Sequence, residues 1–146
     1  MNFKTLPVVL VATAVLGLGL TAHQLASAHG NVTPQAVDTH ELKPLGEEWL
    51  SANPYQGNPV AIRIGSSAFN QNCARCHGLE AVSGGIAPDL RRLPVDEATD
   101  EYFQTSVRHG KVRNGNVYMP PFEGTLNQEA IWALRAYIVS RHTEED

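Results

Sequence analysis

The sequence predicts an all-α fold. Three stretches repeat apolar residues at helical spacing, and nothing before the first cysteine has the pattern of a buried strand. The helices are expected to begin at Pro59, at Thr99 and near Asn127, after a polar part that is rich in proline. The chain is accordingly divided into a signal peptide at 1–28, an N-terminal extension at 29–58 and one domain at 59–146.

The first 28 residues have the pattern of an export signal. Lys4 gives a positive start, residues 8–20 form an uncharged apolar core, and residues 26–28 are a small-x-small cleavage site. A retained membrane anchor is the competing interpretation, but His23 and Gln24 interrupt the apolar run before it reaches the roughly 20 residues that span a bilayer. We expect export to the periplasm, with no membrane span after cleavage.

The chain carries a net negative charge. There are 11 Lys and Arg against 15 Asp and Glu, and loss of Lys4 with the signal peptide changes the net charge from −4 to −5. A nucleic acid partner would need a basic face, so none is expected. The remaining chain forms one small domain with a limited core, to which a covalently held cofactor would add apolar contact.

The extension at 29–58 shows no sustained helical or strand period. We expect it either to wrap the domain or to trail from it. Residues 45–50 are predicted to form a short helical turn that lays Trp49 and Leu50 on the domain. A partly disordered leader, with Trp49 as an isolated surface anchor, is the alternative.

Cys73 and Cys76 are the only cysteines, and His77 follows them directly. Cys-x-x-Cys-His is the attachment motif of c-type haem. On a helix, residues three and four apart share one face, so both sulfurs can form thioethers to the two vinyl groups of the macrocycle. The neutral imidazole of His77 would then bind the iron as its proximal ligand.

Other chemistry for this motif is less well supported. A zinc site needs about four ligands, and the remaining histidines form no close-spaced pair. A thioredoxin-like dithiol would follow a buried strand, which is not predicted here. A simple disulfide between Cys73 and Cys76 stays open at this point.

The first helix is expected to begin at Pro59, with Asn58 as its cap. A glycine weakens a helix by about 1 kcal/mol relative to alanine, so Gly65 within the apolar stripe predicts that another helix crosses closely there. The stripe leads directly to Cys73 and contains Ala61, Ile64, Gly65, Ala68 and Phe69.

The segment after His77 loses regular structure. A carbonyl in such a loop can accept a hydrogen bond from the imidazole N–H of a ligating histidine, and Pro88 closes a turn suited to that role. Arg91 and Arg92 are candidates for charge-assisted hydrogen bonds to haem propionates. Two exposed arginines without a ligand are the alternative.

A second helix is predicted from Thr99, as its cap, to His109, with Phe103 and Val107 on the inner face and Gly110 as its stop. The charged surroundings of His109 indicate an exposed residue rather than an iron ligand.

The last helix is predicted to run from Asn127 to about Arg141. Gln128, Glu129 and Arg135 are expected to face outward. The inner stripe, which would fill the notch at Gly65, contains Ala130, Ile131, Leu134, Tyr137 and Ile138.

Met119 is the only methionine that remains once the signal peptide is removed. Pro120 restricts the backbone of the residue before it, so Met119 is held extended. A thioether on a stiff loop can fill the sixth position of haem iron and favours the reduced state. A methionine that fills a gap in the core is the alternative.

Four motifs, in this order, resemble those of class I cytochromes c over residues 59–142. They are residues 72–78, Pro88, residues 119–122 and residues 131–138. The resemblance implies three main helices around one covalently attached haem c. It also implies thioethers at Cys73 and Cys76, axial ligands at His77 and Met119, and the Pro88 carbonyl as the partner of His77.

Residues 53–58 and the Met-Pro-Pro-Phe loop at 119–122 are similar to PedF-type periplasmic cytochromes c, which accept electrons from PQQ-dependent alcohol dehydrogenases. This similarity implies a carrier of single electrons, from such a dehydrogenase to a terminal oxidase or another cytochrome.

Two protein ligands on the iron would leave no site for a substrate, which predicts an electron carrier and not an enzyme. If Met119 does not bind, a haem enzyme or gas sensor with an open sixth position is the rival, and a fixed subunit of a larger redox complex is a third possibility. Arg108, Lys111 and Arg113 are predicted to rim the haem edge and to steer an acidic partner. A solvated run of charges is the alternative for these three residues.

Overall fold

The computed structural model describes residues 33–144, and most of the regular structure in that range is helical. The predicted signal peptide at 1–28 and the start of the extension lie outside the described residues. Within 33–144, no helix is long and apolar enough to cross a membrane. The elements are helices α1 (Pro59–Asn72), α2 (Ala74–His77), α3 (Glu97–His109) and α4 (Gln128–Ser140), an antiparallel pair of strands β1 (Lys111–Arg113) and β2 (Asn116–Met119), and 3₁₀ turns at Leu79–Ala81 and Leu90–Arg92.

Helix α1 begins as predicted. The Asn58 side-chain oxygen accepts hydrogen bonds from the backbone N–H groups of Val60, at 2.9 Å, and Ala61, at 3.2 Å, and Pro59 occupies the first turn. These bonds satisfy donors that the start of a helix leaves without partners. The predicted apolar stripe is buried along its whole length.

Helices α1 and α4 cross at Gly65, as its position on the stripe predicted. A Cβ atom at Gly65 would lie 1.9 Å from the backbone oxygen of Ala133 and 2.9 Å from the Cβ of Tyr137. One turn further along, the rings of Phe69 and Tyr137 pack with their centroids 5.5 Å apart. Only a residue without a side chain permits this approach, and the crossing fixes where α1 ends.

Helix α3 starts before the predicted residue. Its cap is Asp96, whose carboxylate accepts a hydrogen bond from the backbone N–H of Thr99 at 2.7 Å. The prediction of Thr99 as the cap was therefore wrong. Asp96 caps the helix with a full negative charge, and Glu97 in the first turn adds another, both favourable at the positive end of a helix. Gly110 ends the helix with φ +69°, as predicted.

Helix α4 begins near Asn127, as predicted, and Asn127 caps it, but two of its three expected outward residues are buried. Arg135 is fully buried, with Nε 2.6 Å from an Asp100 carboxylate oxygen and Nη2 2.6 Å from the Pro94 carbonyl. Gln128 is buried under the extension. Helical spacing shows which face a residue occupies, but it does not show that a distant segment covers that face.

The described part of the extension, residues 33–58, packs on the domain and contains no helix between residues 45 and 50, so the predicted helical turn was wrong. Leu42 and Tyr55 are buried in a second apolar cluster with Trp132 of α4. The backbone N–H of Leu45 donates to Glu129 at 2.8 Å. Buried side chains and hydrogen bonds to α4 therefore hold an irregular segment in place.

Substitution of Gly65 by alanine is expected to lower the free energy of unfolding by about 2–3 kcal/mol, because the new methyl group would overlap the Ala133 carbonyl. Gly84→Ala is the matched control, since no atom lies within 4 Å of a Cβ at that position. Urea denaturation followed by far-UV circular dichroism measures both changes. Equal stability of the two variants would contradict a tight crossing at Gly65.

Candidate haem-binding site

A cavity of about 260 Å³ opens between the end of α1, the loop at 86–93, helix α3 and residues 119–123, which we call the Met119 segment. Its lining is largely apolar. The lining side chains include Leu90, Leu93, Phe103, Val107, Phe122 and Ile138, together with Cys73, Cys76, His77 and Met119. These last four residues, the candidates for holding haem, come from two separate parts of the chain, and the fold brings them to one cavity.

The two cysteines lie where α1 gives way to α2. The carbonyl of Cys73 accepts hydrogen bonds from the backbone N–H groups of Cys76, at 3.1 Å, and His77, at 3.0 Å, so one helical turn presents all three side chains to the cavity. Both cysteines are free, and the possible disulfide is not formed. Burial, together with Cys76, raises the pKa of the Cys73 thiol to about 12, whereas catalytic dithiols depend on a lowered pKa.

The imidazole of His77 is oriented by the loop that follows it. Its Nδ1 atom lies 3.0 Å from the carbonyl oxygen of Pro88, where an N–H donates to the carbonyl. Nε2 is then the nitrogen with a free lone pair. Burial lowers the pKa of His77, with the Pro88 hydrogen bond acting in the opposite direction, so the neutral form that binds metals is favoured.

Asp89 stabilises the turn that presents the Pro88 carbonyl. Its carboxylate accepts from the backbone N–H and Nε of Arg91, both at 3.0 Å, and from Nη2 at 2.7 Å. The hydrogen bonds from Arg91 hold the pKa of Asp89 at about 2, so the pair stays charged at neutral pH. The guanidinium of Arg91 is thus already engaged and Arg92 is exposed. Propionate contacts from these two arginines stay a prediction.

Met119 is delivered to the cavity by a β-hairpin that the sequence analysis did not predict. Strands β1 and β2 pair Lys111 with Met119 across a tight turn at Asn114 and Gly115, which have φ +50° and +76°. Asn-Gly with both residues at positive φ is typical of two-residue hairpins. That dipeptide was the available signal for the hairpin.

The end of α3 supports the Met119 segment. Gly110 permits close contact, since a Cβ there would lie 2.4 Å from the Met119 carbonyl oxygen. The backbone N–H of Phe122 points to the carbonyls of Val107, at 3.0 Å, and Arg108, at 3.2 Å. The last carbonyls of a helix lack partners within the helix, so this segment satisfies them while the helix holds the segment.

Three further side chains lie at the mouth of the cavity: Lys111, which was predicted to rim the haem edge, and Tyr102 and Tyr118, which were not among the predicted site residues. Tyr102 and Tyr118 are more than half exposed, and the Lys111 ammonium lies 4.5 Å from the centre of the Tyr102 ring. By contrast, His109 is exposed and does not line the cavity, in agreement with the prediction that it is not a ligand.

The residues of the cavity suit a covalently attached haem. Two thiols and an imidazole follow one another in the order the attachment motif requires, a thioether comes from another segment, and the walls are apolar. Residues 33–144 contain no group of three or more His, Cys, Asp or Glu side chains that could hold a metal ion by themselves.

Comparisons with known proteins agree with this chemistry. The family model described as cytochrome C oxidase, cbb3-type, subunit III matches residues 60–138, which extend from α1 to α4. The chain is similar to cytochrome c550 of Pseudomonas aeruginosa PAO1, with 55% identity over 131 residues that cover 87% of this chain and 90% of the relative.

Two larger proteins contain a similar segment. Identity to the quinohemoprotein alcohol dehydrogenase ADH IIB of Pseudomonas putida is 34%, over 63% of this chain and 13% of that protein. Identity to the cbb3-type cytochrome c oxidase subunit FixP of Rhizobium meliloti is 35%, over 73% of this chain and 38% of that subunit. No solved structure gives a significant match.

Substitution of Gly110 by alanine is expected to displace the Met119 segment and to lower the free energy of unfolding by about 1–3 kcal/mol more than Gly115→Ala does. Both glycines have positive φ, but Gly110, with ψ −166°, is in a region that is essentially restricted to glycine, so its variant also carries backbone strain of its own. A Cβ at Gly115 has no atom within 4 Å, so the difference between the variants reports the contact with Met119 together with this strain. Equal decreases in the free energy of unfolding of the two variants, measured by urea denaturation, would show that the contact with Met119 does not require glycine.

Proposed function

Because this chain belongs to the cytochrome c family, we propose which residues around the cavity hold its haem. We also propose with which proteins it exchanges electrons. The protein is a monohaem c-type cytochrome with one covalently attached haem c. It is an electron carrier and not an enzyme.

The observation that carries the assignment of residues is the meeting of Cys73, Cys76, His77 and Met119 at one apolar cavity. In this proposal the two sulfurs of Cys73 and Cys76 form the thioethers, Nε2 of His77 is the proximal ligand, and Met119 is the sixth ligand. The Pro88 carbonyl keeps His77 in the correct tautomer and orientation.

Bound haem supplies an iron centre that takes up and releases one electron. The chain's own residues exclude water from most of that centre, since the cavity walls are apolar. The thioether of Met119 would be a soft ligand that favours the reduced state, and a haem held by both His77 and Met119 would leave no open position for a substrate or gas.

We also propose the domain boundaries and the location of the protein. A signal peptide at 1–28 would direct export to the periplasm, the extension at 29–58 would cover one side of the domain, and residues 59–146 would form the haem domain. Support comes from the leader sequence and from the contacts between α4 and the described part of the extension.

The proposed electron donor is a PQQ-dependent alcohol dehydrogenase, and the proposed acceptor is a terminal oxidase or another cytochrome. The similarity to a segment of a quinohemoprotein alcohol dehydrogenase supports the donor. The similarity to a subunit of a cbb3-type oxidase supports an oxidase as acceptor.

The hairpin at the cavity mouth is the proposed docking surface. Arg108 does not belong to it, because its guanidinium is bound to Glu123, with Nη2 and a carboxylate oxygen 2.5 Å apart. The three-residue basic patch is thus reduced to Lys111 and Arg113, which are exposed beside apolar Val112 and Val117. A partner with acidic residues around an apolar patch would fit this surface.

Replacement of Met119 by alanine tests the sixth ligand. The ferric wild-type protein is expected to show an iron–sulfur charge-transfer band and, when reduced, no binding of carbon monoxide. Met119→Ala should lose the band and bind carbon monoxide readily, because an axial position opens. The control is Val117→Ala, an exposed change in the same strand. Carbon monoxide binding by the reduced wild type would support the gas sensor instead.

Replacement of both Lys111 and Arg113 by glutamine tests the docking surface. We expect electron uptake from a reduced PQQ-dependent alcohol dehydrogenase to slow by about three- to tenfold at low salt, and its dependence on ionic strength to flatten. Arg63→Gln removes an exposed cation of α1 that pairs with Glu41, and it serves as the control. Stopped-flow rates that match the wild type at every salt concentration would place the docking surface elsewhere.

A further inference from the structure

We propose that Trp49 of the N-terminal extension is a positioning residue that keeps the Met119 segment closed over the haem cavity. It acts through Arg108, at the end of α3, and Glu123, four residues after Met119. The inference rests on the proposed function, because it concerns Met119 as an iron ligand.

One guanidinium group connects the extension to the Met119 segment. The central carbon of the Arg108 guanidinium lies 4.2 Å from the centre of the Trp49 ring, which places the cation over the aromatic face. The same group donates to one carboxylate oxygen of Glu123, from Nε at 3.0 Å and from Nη2 at 2.5 Å. The Arg108 side chain is only 19% exposed, so water screens these contacts less than it would on an open surface.

One buried side chain, that of Gln128, binds the backbone of the residues before and after Trp49. Gln128 at the start of α4 accepts a hydrogen bond from the backbone N–H of Leu50 at 2.9 Å and donates to the carbonyl of Glu48 at 2.9 Å. The residues on either side of Trp49 are thus fixed to α4, and its ring packs against the main core. Arg108 therefore rests on a fixed aromatic surface and not on a mobile side chain.

Beyond strand β2, the Met119 segment makes few backbone hydrogen bonds of its own, so side-chain contacts add to its support. Pro120 and Pro121 have no N–H group, so backbone hydrogen bonds from the segment to α3 begin only at Phe122 and Glu123. The ion pair to Arg108 strengthens this end of the segment. Loss of the aromatic surface under Arg108 would free the guanidinium to turn toward water, and the segment would open more often.

Imidazole is a suitable probe, because it binds ferric iron only when the sulfur of Met119 leaves. Titration of the ferric holoproteins is expected to give about tenfold tighter imidazole binding for Trp49→Ala than for the wild type. Trp49→Phe keeps an aromatic face and should recover most of the wild-type affinity. Leu50→Ala, at a neighbouring exposed position, should leave the affinity unchanged.

A second variant tests the same connection from its other end. Glu123→Gln should also tighten imidazole binding, and its effect should be less than additive with that of Trp49→Ala because both changes break one connection. This variant also keeps the test valid if Trp49→Ala fails to fold.

The outcomes separate this inference from the proposed function. If the wild-type ferric protein lacks the iron–sulfur band, the ligand assignment fails and the inference fails with it. If the band is present but Trp49→Ala and Glu123→Gln bind imidazole like the wild type, the inference alone fails. Equal tightening in Leu50→Ala would indicate general loosening of the extension and would also overturn it.

Discussion

The contact between Gly65 and the backbone of Ala133 is the constraint on which the rest of the structure depends. It lets α1 and α4 cross without intervening side chains, and Phe69 and Tyr137 pack one turn further along. The last residue of α1 immediately precedes Cys73, while the segment that leads into α4 carries the buried Phe122. A helix contact outside the cavity therefore sets the relative positions of the two parts of the chain that contribute the candidate ligands.

The extension covers and hydrogen-bonds polar side chains of α3 and α4. Asp100 and Arg135 form an ion pair at a depth where either charge alone would be costly, and the backbone N–H of Asn53 in the extension donates to the same carboxylate at 2.9 Å. Gln128 plays the corresponding part at the start of α4, through its hydrogen bonds to the backbone around Trp49. The described part of the extension, residues 33–58, is therefore part of the folded domain, and its contacts reach from α4 to Arg108 at the end of α3.

Sequence reasoning succeeded where the signal is local. The cap at Asn58, the crossing at Gly65 and the hydrogen bond from His77 to Pro88 follow from neighbouring residues or from one known motif. It failed for the residues whose partners are distant. Arg135 bonds to Asp100, 35 positions away, and Gln128 bonds to Leu50, 78 positions away, so helical spacing alone placed both in solvent. The hairpin at Asn114 and Gly115 was a local signal that was overlooked.

Ligation of iron by Met119 is the claim on which the chemistry of the carrier depends, and proton NMR of the reduced protein tests it most directly. Met119 is the only methionine besides Met1, so labelling with ¹³C-methyl methionine gives one methyl signal from within the chain. A ligated methyl group lies over the macrocycle, and the ring current should move its resonance far upfield of free methionine. A methyl resonance at the position of unligated methionine would contradict the account.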